Sequence, residues 1–348
     1  MRRVKKSHPC PICGKPDWCL FSVDGKVALC TRIFEGAITI KTARDGTEMG
    51  MHLLEPGSPI PKFALEPPPP PLAPLSLRHE VYQALIEISP ARLYPNLVTE
   101  LLSRGFSRSD CTRFGALPAS VADRSEVVKW LLAYLAKKNI IHSKTGLDYV
   151  PGFWRDKDQI TLWHKYHLKS DWLLIPYYSP DGFIQALQYR RETTVDRYGW
   201  INSKKHPFGS SAGKLVHYCQ PFGQKAKVAV VEGALKGEIY AKHFPQHDVI
   251  CIDGVNTGHE QVLAAASQKP LYIAFDQDYK TNPQVFLHLK RLIEKRQSDA
   301  SGPTFFFTWP DATTEAGKGI DDALLSQLPL TLKSAQEILS HENSCQNS

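Results

Sequence analysis

Four cysteines, Cys10, Cys13, Cys19 and Cys30, fall within residues 10–30 of a 348-residue chain. Cys10 and Cys13 form a C-x-x-C knuckle, whose tight turn lets two thiolates converge on one ion. Between Cys19 and Cys30 stands Asp24-Gly25, a favoured two-residue hairpin turn. Folding about it pairs Val23 with Lys26, and counting outward sets Cys19 opposite Cys30. Directly opposed residues hold their Cβ atoms about 4.5–5.5 Å apart, so both thiolates reach the same ion. Four thiolates in a tetrahedron make a structural zinc site, and short zinc domains depend on the metal to fold. His8 is the substitute ligand if Cys19 points away. The plainer alternative is one or two buried cysteines and a partial site.

A second set of residues suits a harder ion. Val228–Val231 reads as a buried strand ending in Glu232-Gly233, and Leu271–Phe275 ends in Asp276-Gln277-Asp278. Ligands of open parallel sheets bind at the carboxyl ends of strands. Two carboxylates two residues apart at such an end can address one Mg²⁺, which keeps waters for phosphate to replace. Asp321-Asp322, just after Gly317-Lys318-Gly319-Ile320, adds a further pair. Each motif alone is weak, because strand-end acids often cap the next helix; together they are more specific. Carboxylates at neighbouring strand ends repel one another. Either a divalent cation or Lys236, one helical turn from Glu232, offsets that repulsion. If the cation does so, an amide at Asp276 or Asp278 leaves the ion-free protein as stable as before or more so.

The elements that must position these groups follow from composition and periodicity. Apolar residues make up 42% and charged residues 22%, which excludes wholesale disorder and collagen-like repeats. No apolar run approaches the ~20 residues of a membrane helix, and the start Met1-Arg2-Arg3-Val4-Lys5-Lys6 lacks a signal-peptide core. A cytoplasmic location with no membrane partner is expected, and a reducing compartment favours metal over disulfides for the cysteines. Residues 1–55 form the cysteine-bearing unit. Residues 56–76 form a linker around Pro67 to Pro71, a run that can neither pair in a sheet nor continue a helix. Residues 77–150 look helical, with Val81, Leu85 and Ile86, then Leu97–Leu102, then Val127–Leu135. Residues 151–225 turn to strands, with Trp172–Tyr177 and Phe183–Arg190 about the turn Ser179–Gly182. Residues 226–330 alternate strand and helix, which implies a doubly wound parallel sheet, and 331–348 read as a tail. Seven Lys/Arg against two Asp/Glu in 1–32, and eleven against six in 151–225, make two basic regions. Residues 226–330 carry ten against thirteen. Basic regions attract a polyanion, and an acidic one does so only through a divalent ion.

Glu-Gly after a first strand, with Asp-x-Asp after a later one, resembles the TOPRIM domain of DnaG-type primases, topoisomerases and some nucleases. Leu174 to Arg190, with Tyr198 and Asn202-Ser203-Lys204-Lys205, resembles the basic half of a DnaG-type primase core. The cysteine cluster is similar to that family's zinc ribbon. Residues 77–150 carry no resemblance that can be named. The resemblance implies an α/β chain: zinc ribbon, Pro-rich linker, helical segment, then a primase-like core with a TOPRIM sheet. It places Glu232 near the reacting oxygen and makes Asp276 and Asp278 the metal pair, with Asp321 and Asp322 as the last acidic patch. Arg190, Arg191, Arg197, Lys204 and Lys205 become phosphate contacts. Three positions depart from the pattern. Lys236 stands where the family often has an aspartate, and Gly319 where an acid is expected. Ile33 occupies the place of the ribbon's last cysteine, so Cys19 or His8 must replace it.

The implied activity is template-directed synthesis of short RNA primers on single-stranded DNA, using Zn²⁺ for the ribbon and Mg²⁺ or Mn²⁺ for nucleotidyl transfer. Partners are the template, ribonucleotides and a separate replicative helicase. The compact chain, with no room after the sheet for a helicase domain, resembles primase-like replication proteins of plasmids, phages and other mobile elements. A TOPRIM nuclease and a non-catalytic DNA-binding replication protein are the competing readings.

Overall fold

The computed structural model describes residues 1–42, 47–55, 71–157, 159–193, 197–213, 215–298, 302–310 and 317–340. Prolines 67–70 of the expected linker and residues 341–348 of the expected tail lie outside them. Among the described residues no helix is long and apolar enough to cross a membrane.

The N-terminal unit is a five-stranded antiparallel sheet in the order Arg2–Arg3, Leu20–Phe21, Val27–Cys30, Glu48–Leu53, Thr39–Thr42. The hairpin turns at Asp24-Gly25, with Gly25 at φ +75°, and pairs Leu20 with Leu29 and Phe21 with Ala28. That register continues outward to Cys19 and Cys30.

A mixed α/β unit follows. A four-stranded antiparallel sheet runs in the order Tyr198–Trp200, Ile184–Arg190, Trp172–Tyr178, Gly115–Leu117. The helices Leu75–Ile88 and Val121–Lys137 cover one face. Ser120 caps the second by accepting from the Asp123 N–H at 3.4 Å, and its apolar stripe, Val127, Val128, Leu131 and Leu135, is buried. Val81, Leu85, Leu131, Phe153, Leu174 and Leu187 belong to one core. Residues 77–150 and 151–225, separated in the sequence reading, therefore share a core. The expected helical segment also supplies a strand, Gly115–Leu117, to the sheet. Three apolar residues are too short a run to show strand periodicity.

The last unit is a six-stranded sheet. Its four inner strands, in the order His247–Ile252, Lys227–Glu232, Leu271–Ala274, Thr304–Thr308, are parallel, and antiparallel strands His217–Tyr218 and Thr331–Ser334 close its edges. Both faces are covered, which explains the unbroken apolar runs. Val228 and Val230 pack with Val262, Leu289 and Ile338 on one side. Ala229 and Val231 face Tyr240 and Ala323 on the other. Residues 331–340, expected as tail, thus form an edge strand and the helix Ala335–Ser340.

The helix Ala234–His243 joins the two larger units. Its Ala234, Leu235 and Ile239 are buried against Leu101, Phe114, Leu173 and Ile175 of the antiparallel half. The N-terminal unit meets the helix Pro283–Ser298, where Arg291 stacks 3.8 Å over the Phe34 ring and reaches Glu48 at 3.2 Å.

Candidate active site

The parallel register brings the expected carboxylates together. Val231 is paired with Ala274, so Glu232 and Asp276 leave the same edge of the sheet on adjacent strands. Gly233 follows at φ +89°, a conformation L side chains rarely adopt, and turns the chain directly into the helix Ala234–His243. One turn into it, Lys236 pairs with Asp276 Oδ1. Lys318 Nζ lies 2.9 Å from Asp278 Oδ2, and Arg104 Nη1 lies 3.4 Å from Asp321 Oδ2. The Gln277 N–H donates to the Lys318 carbonyl at 3.1 Å, tying the Asp276–Asp278 turn to the segment that leads into Asp321. Asp322 turns aside and accepts the Gly317 N–H at 3.3 Å.

Burial, and next the neighbouring Asp276 carboxylate, pushes the Glu232 carboxyl up to about 7. Asp321 is also raised, first by burial. Lys236 stays charged: burial opposes it, but Asp276 and Glu232 outweigh that and raise its pKa. Asp278 Oδ1 and Asp321 Oδ1 are buried and accept no hydrogen bond. Orphaned buried oxygens of this kind demand a partner, and carboxylate oxygens are donors that suit Mg²⁺ or Mn²⁺, although no three of these carboxylates bring their oxygens within 4.8 Å of one another.

The cysteine cluster assembles as the hairpin arithmetic requires. The sulfurs of Cys10, Cys13, Cys19 and Cys30 all lie within 4.8 Å of one another. Cys13–Cys19 and Cys19–Cys30 are 3.7 and 3.8 Å apart. The His8 ring is exposed and meets the Ser7 hydroxyl at 3.2 Å, outside the cluster, and the fourth sulfur is that of Cys19. The N–H of Ile33 donates to Cys30 Sγ at 3.2 Å and that of Arg32 at 3.4 Å. Ile33, at the position of the ribbon's missing cysteine, thus serves the site through its backbone. Hydrogen bonding, first from Cys30, holds the Cys19 thiol down to about 5 against burial. This four-cysteine cluster fits a zinc ion in donor type and spacing.

The basic residues divide. Arg190, Arg191 and Arg197 line an open pocket of about 630 Å³ together with Glu100 and Asp171. Arg190 pairs there with Glu100 and donates to the Tyr198 hydroxyl at 2.7 Å. Lys204 and Lys205 are exposed on a separate loop.

The counter-cations Lys318 and Arg104 escaped sequence reasoning. Lys318, flanked by two glycines just before Asp321-Asp322, carried a local signal; Arg104, 217 positions from Asp321, carried none. A second thiol cluster was also missed: His217, Cys219 and Cys251 lie within 4.8 Å of one another, fully buried. Both imidazole nitrogens are engaged, Nε2 with Glu238 at 3.0 Å and Nδ1 accepting the Tyr178 N–H at 3.3 Å. Arg113 holds the other Glu238 oxygen at 2.5 Å. This is a buried staple between the two larger units.

No family model matches the chain, and no curated protein matches it. Solved structures do. The RNA polymerase domain of Mycobacterium tuberculosis primase DnaG, in complex with a double-stranded DNA oligomer with a 6-nucleotide overhang, is 14% identical, with a TM-score of 0.50 over 73% of this chain and 76% of that one. A DNA primase domain from Pseudomonas aeruginosa is 15% identical, with a TM-score of 0.49 over 74% of this chain and 76% of that one. The zinc-binding and RNA polymerase domains of the Aquifex aeolicus primase are 15% identical with a TM-score of 0.46; the match covers 73% of this chain but only 62% of that one. At these identities the likeness is one of fold. The chain has the fold of the DnaG-type primase RNA polymerase domain, preceded by a four-cysteine cluster that fits a zinc ribbon.

Proposed function

We propose that this chain is a primase-type nucleotidyltransferase that joins ribonucleotides on a single-stranded DNA template, with the six-stranded sheet as its TOPRIM domain. One observation carries the reading. In a chain of DnaG-type fold, Glu232, Asp276, Asp278 and Asp321 gather at one end of the sheet, and two of their buried oxygens lack donors. Asp276, Asp278 and Asp321 would hold Mg²⁺ or Mn²⁺, which when bound supplies positive charge to the reacting phosphate and leaving pyrophosphate oxygens. Glu232, with a pKa near neutrality, suits a general base. It takes the proton of the attacking 3′ hydroxyl as that oxygen bonds the α-phosphorus and pyrophosphate leaves. The four-cysteine ribbon would hold zinc and grip the template. The arginine-lined pocket and Lys204-Lys205 would contact phosphates. The DNA in the mycobacterial complex supports a DNA partner for the shared fold.

The test is incubation with single-stranded DNA, labelled ribonucleotides and Mg²⁺ or Mn²⁺. New oligoribonucleotides are expected, and Glu232→Gln should abolish them while the ribbon stays folded. Degraded template would point instead to a nuclease. Binding without synthesis or cleavage would leave a non-catalytic replication protein.

A further inference from the structure

Four charged side chains of alternating sign run from the arginine-lined pocket to the acidic site. Arg190 pairs with Glu100 Oε1, and the same oxygen lies 3.8 Å from Arg104 Nε. Arg104 in turn reaches Asp321 Oδ2 with its Nη1 at 3.4 Å. Glu100 lies in the helix Pro95–Ser103 and Arg104 just past its end, four positions on, in the order that favours their pairing. Leu101 of that helix and Leu324 of the helix Ile320–Leu325, which carries Asp321, belong to one core. Arg104 and Glu100 are 20% and 21% exposed and Asp321 only 4%, so water and salt screen the chain less than they would a surface pair.

The two middle members are shared: Glu100 serves two guanidinium groups, and Arg104 serves two carboxylates. The Arg190–Glu100 contact is closed, while both Arg104 contacts are longer than the 2.7–2.9 Å of a good charge-assisted hydrogen bond. Glu100 is thus committed to Arg190, and Arg104 is left within reach of Asp321. A phosphate chain in the pocket changes that balance. Arg190, Arg191 and Arg197 face one concavity, and phosphate takes guanidinium groups bidentately and strongly. Once Arg190 turns to phosphate, Glu100 keeps Arg104 as its partner, and the pair one helical turn apart closes at the expense of Asp321.

We infer that Glu100 and Arg104 couple the pocket to the acidic site, so that a phosphate chain taken by Arg190 draws Arg104 off Asp321. The inference rests on the nucleotidyl-transfer reading and deepens it. Both are positioning residues, acting through Arg190 and Asp321. Asp321 regains its full charge, for the cation that the reaction needs, only when phosphate is in place. The coupling is reciprocal. Whatever removes Asp321's hold on Arg104 loosens Glu100 from Arg190 and strengthens phosphate binding, with no divalent ion at the acidic site.

The experiment is a double-mutant cycle, read by calorimetric titration of the full zinc-loaded chain with inorganic tripolyphosphate and no added Mg²⁺ or Mn²⁺. Asp321→Asn should bind tripolyphosphate about fivefold more tightly than wild type. Glu100→Gln should also bind more tightly, and adding Asp321→Asn to it should gain little more. An Asp321→Asn gain that is absent, or that persists in full beside Glu100→Gln, would overturn the inference. If Asp321→Asn does not fold, Arg104→Met takes its place. It should weaken binding in the wild-type background and hardly at all beside Glu100→Gln; an equal loss in both would overturn the inference. Arg197→Gln, in the pocket but outside the chain of pairs, should weaken binding, and unchanged binding would place the phosphate elsewhere and overturn it too. Single-stranded DNA taken through the same cycle identifies the phosphate. Coupling with tripolyphosphate assigns the pocket to a nucleotide, coupling with DNA alone assigns it to the template, and coupling with neither overturns the inference. In that last case, oligoribonucleotide synthesis by the wild-type protein would leave the nucleotidyl-transfer reading standing, and its absence would remove both.

Discussion

The zinc ribbon and the acidic site solve one problem in opposite ways. Each gathers groups that repel one another when ionised. In the ribbon all four thiols come from residues 10–30, and Arg32 touches Cys13 and Cys19 only from the edge, at 3.8 Å. A single cation at the rim would leave most of the charge of four thiolates uncompensated, a deficit that a bound zinc ion would supply. In the acidic site the carboxylates come from segments up to 89 positions apart, and three cations from three different elements already hold them. That assembly has its own counter-charge and its own cores above and below. On the proposed reading, the first region would fold around its ion, and the second would fold first and bind an ion afterwards.

The largest effect that could break this comparison is removal of zinc. Structural zinc contributes on the order of 10 kcal/mol to domains of this size. A strong chelator should therefore unfold residues 1–55 and leave the core's melting temperature nearly unchanged. Hydrogen exchange resolves the two regions, and loss of protection in both would show that they are one cooperative unit. Zinc content separates the ligand sets: Cys19→Ser should lose the metal and His8→Ala should keep it.

The next effect lies in the buried staple. Glu238 is held down to about 2, since the hydrogen bond of His217 and the charge of Arg113 overcome the burial that opposes its ionisation. A carboxyl depressed on folding stabilises fully above its ordinary pKa near 4.5 and loses that contribution as pH falls towards 2. The size is about 3 kcal/mol. Urea midpoints at pH 5 and at pH 3 should diverge in the wild-type protein by more than in Glu238→Gln. Equal slopes would mean that the staple carries no linked proton.

A smaller effect, of opposite sign to the sequence expectation, concerns Asp276. From carboxylate repulsion alone, Asp276→Asn leaves the ion-free protein as stable as before or more so. The structure pairs Asp276 with Lys236, so the amide gives up a charge-assisted hydrogen bond and should cost about 1–3 kcal/mol. Thermal unfolding without divalent ions measures it, and a gain in stability would show that repulsion among the carboxylates outweighs the pairing.

What the sequence disclosed follows the range of the interactions. Cys19 opposite Cys30 is a matter of counting through one hairpin. The strands from Lys227 to Thr308 announce themselves as apolar runs because helices bury both faces. The acids at strand ends follow from the same pattern. Arg104, by contrast, reaches Asp321 from the segment that resembled nothing, and no local pattern marks an arginine for a partner 217 positions away. The strand Gly115–Leu117 and the edge strand Thr331–Ser334 are called into the sheet by neighbours, not by their own composition.

The smallest predicted effect tests whether the basic half addresses nucleic acid, as the acidic site's proposed chemistry requires. Arg190 is a poor probe, since it is bound to Glu100 and Tyr198 and its loss would disturb packing as well as charge. Lys204 and Lys205 are better placed. They stand exposed on a loop closed by the Ser203 N–H on the Ser210 carbonyl at 2.8 Å and anchored by the Ser203 hydroxyl on the Phe153 carbonyl at 2.7 Å. Reversing both to glutamate changes charge on a loop whose shape is held by other atoms. Each lysine that neutralises a phosphate of a single strand contributes about 0.7 to the slope of log affinity against log salt. The double variant should therefore bind single-stranded DNA several-fold more weakly at low salt, with a slope shallower by about 1.4 and an unchanged melting temperature. Weaker binding with the slope intact would move the phosphate contacts elsewhere. Unchanged affinity at every salt concentration would remove this loop from the nucleic-acid path and leave the arginine-lined pocket to carry it.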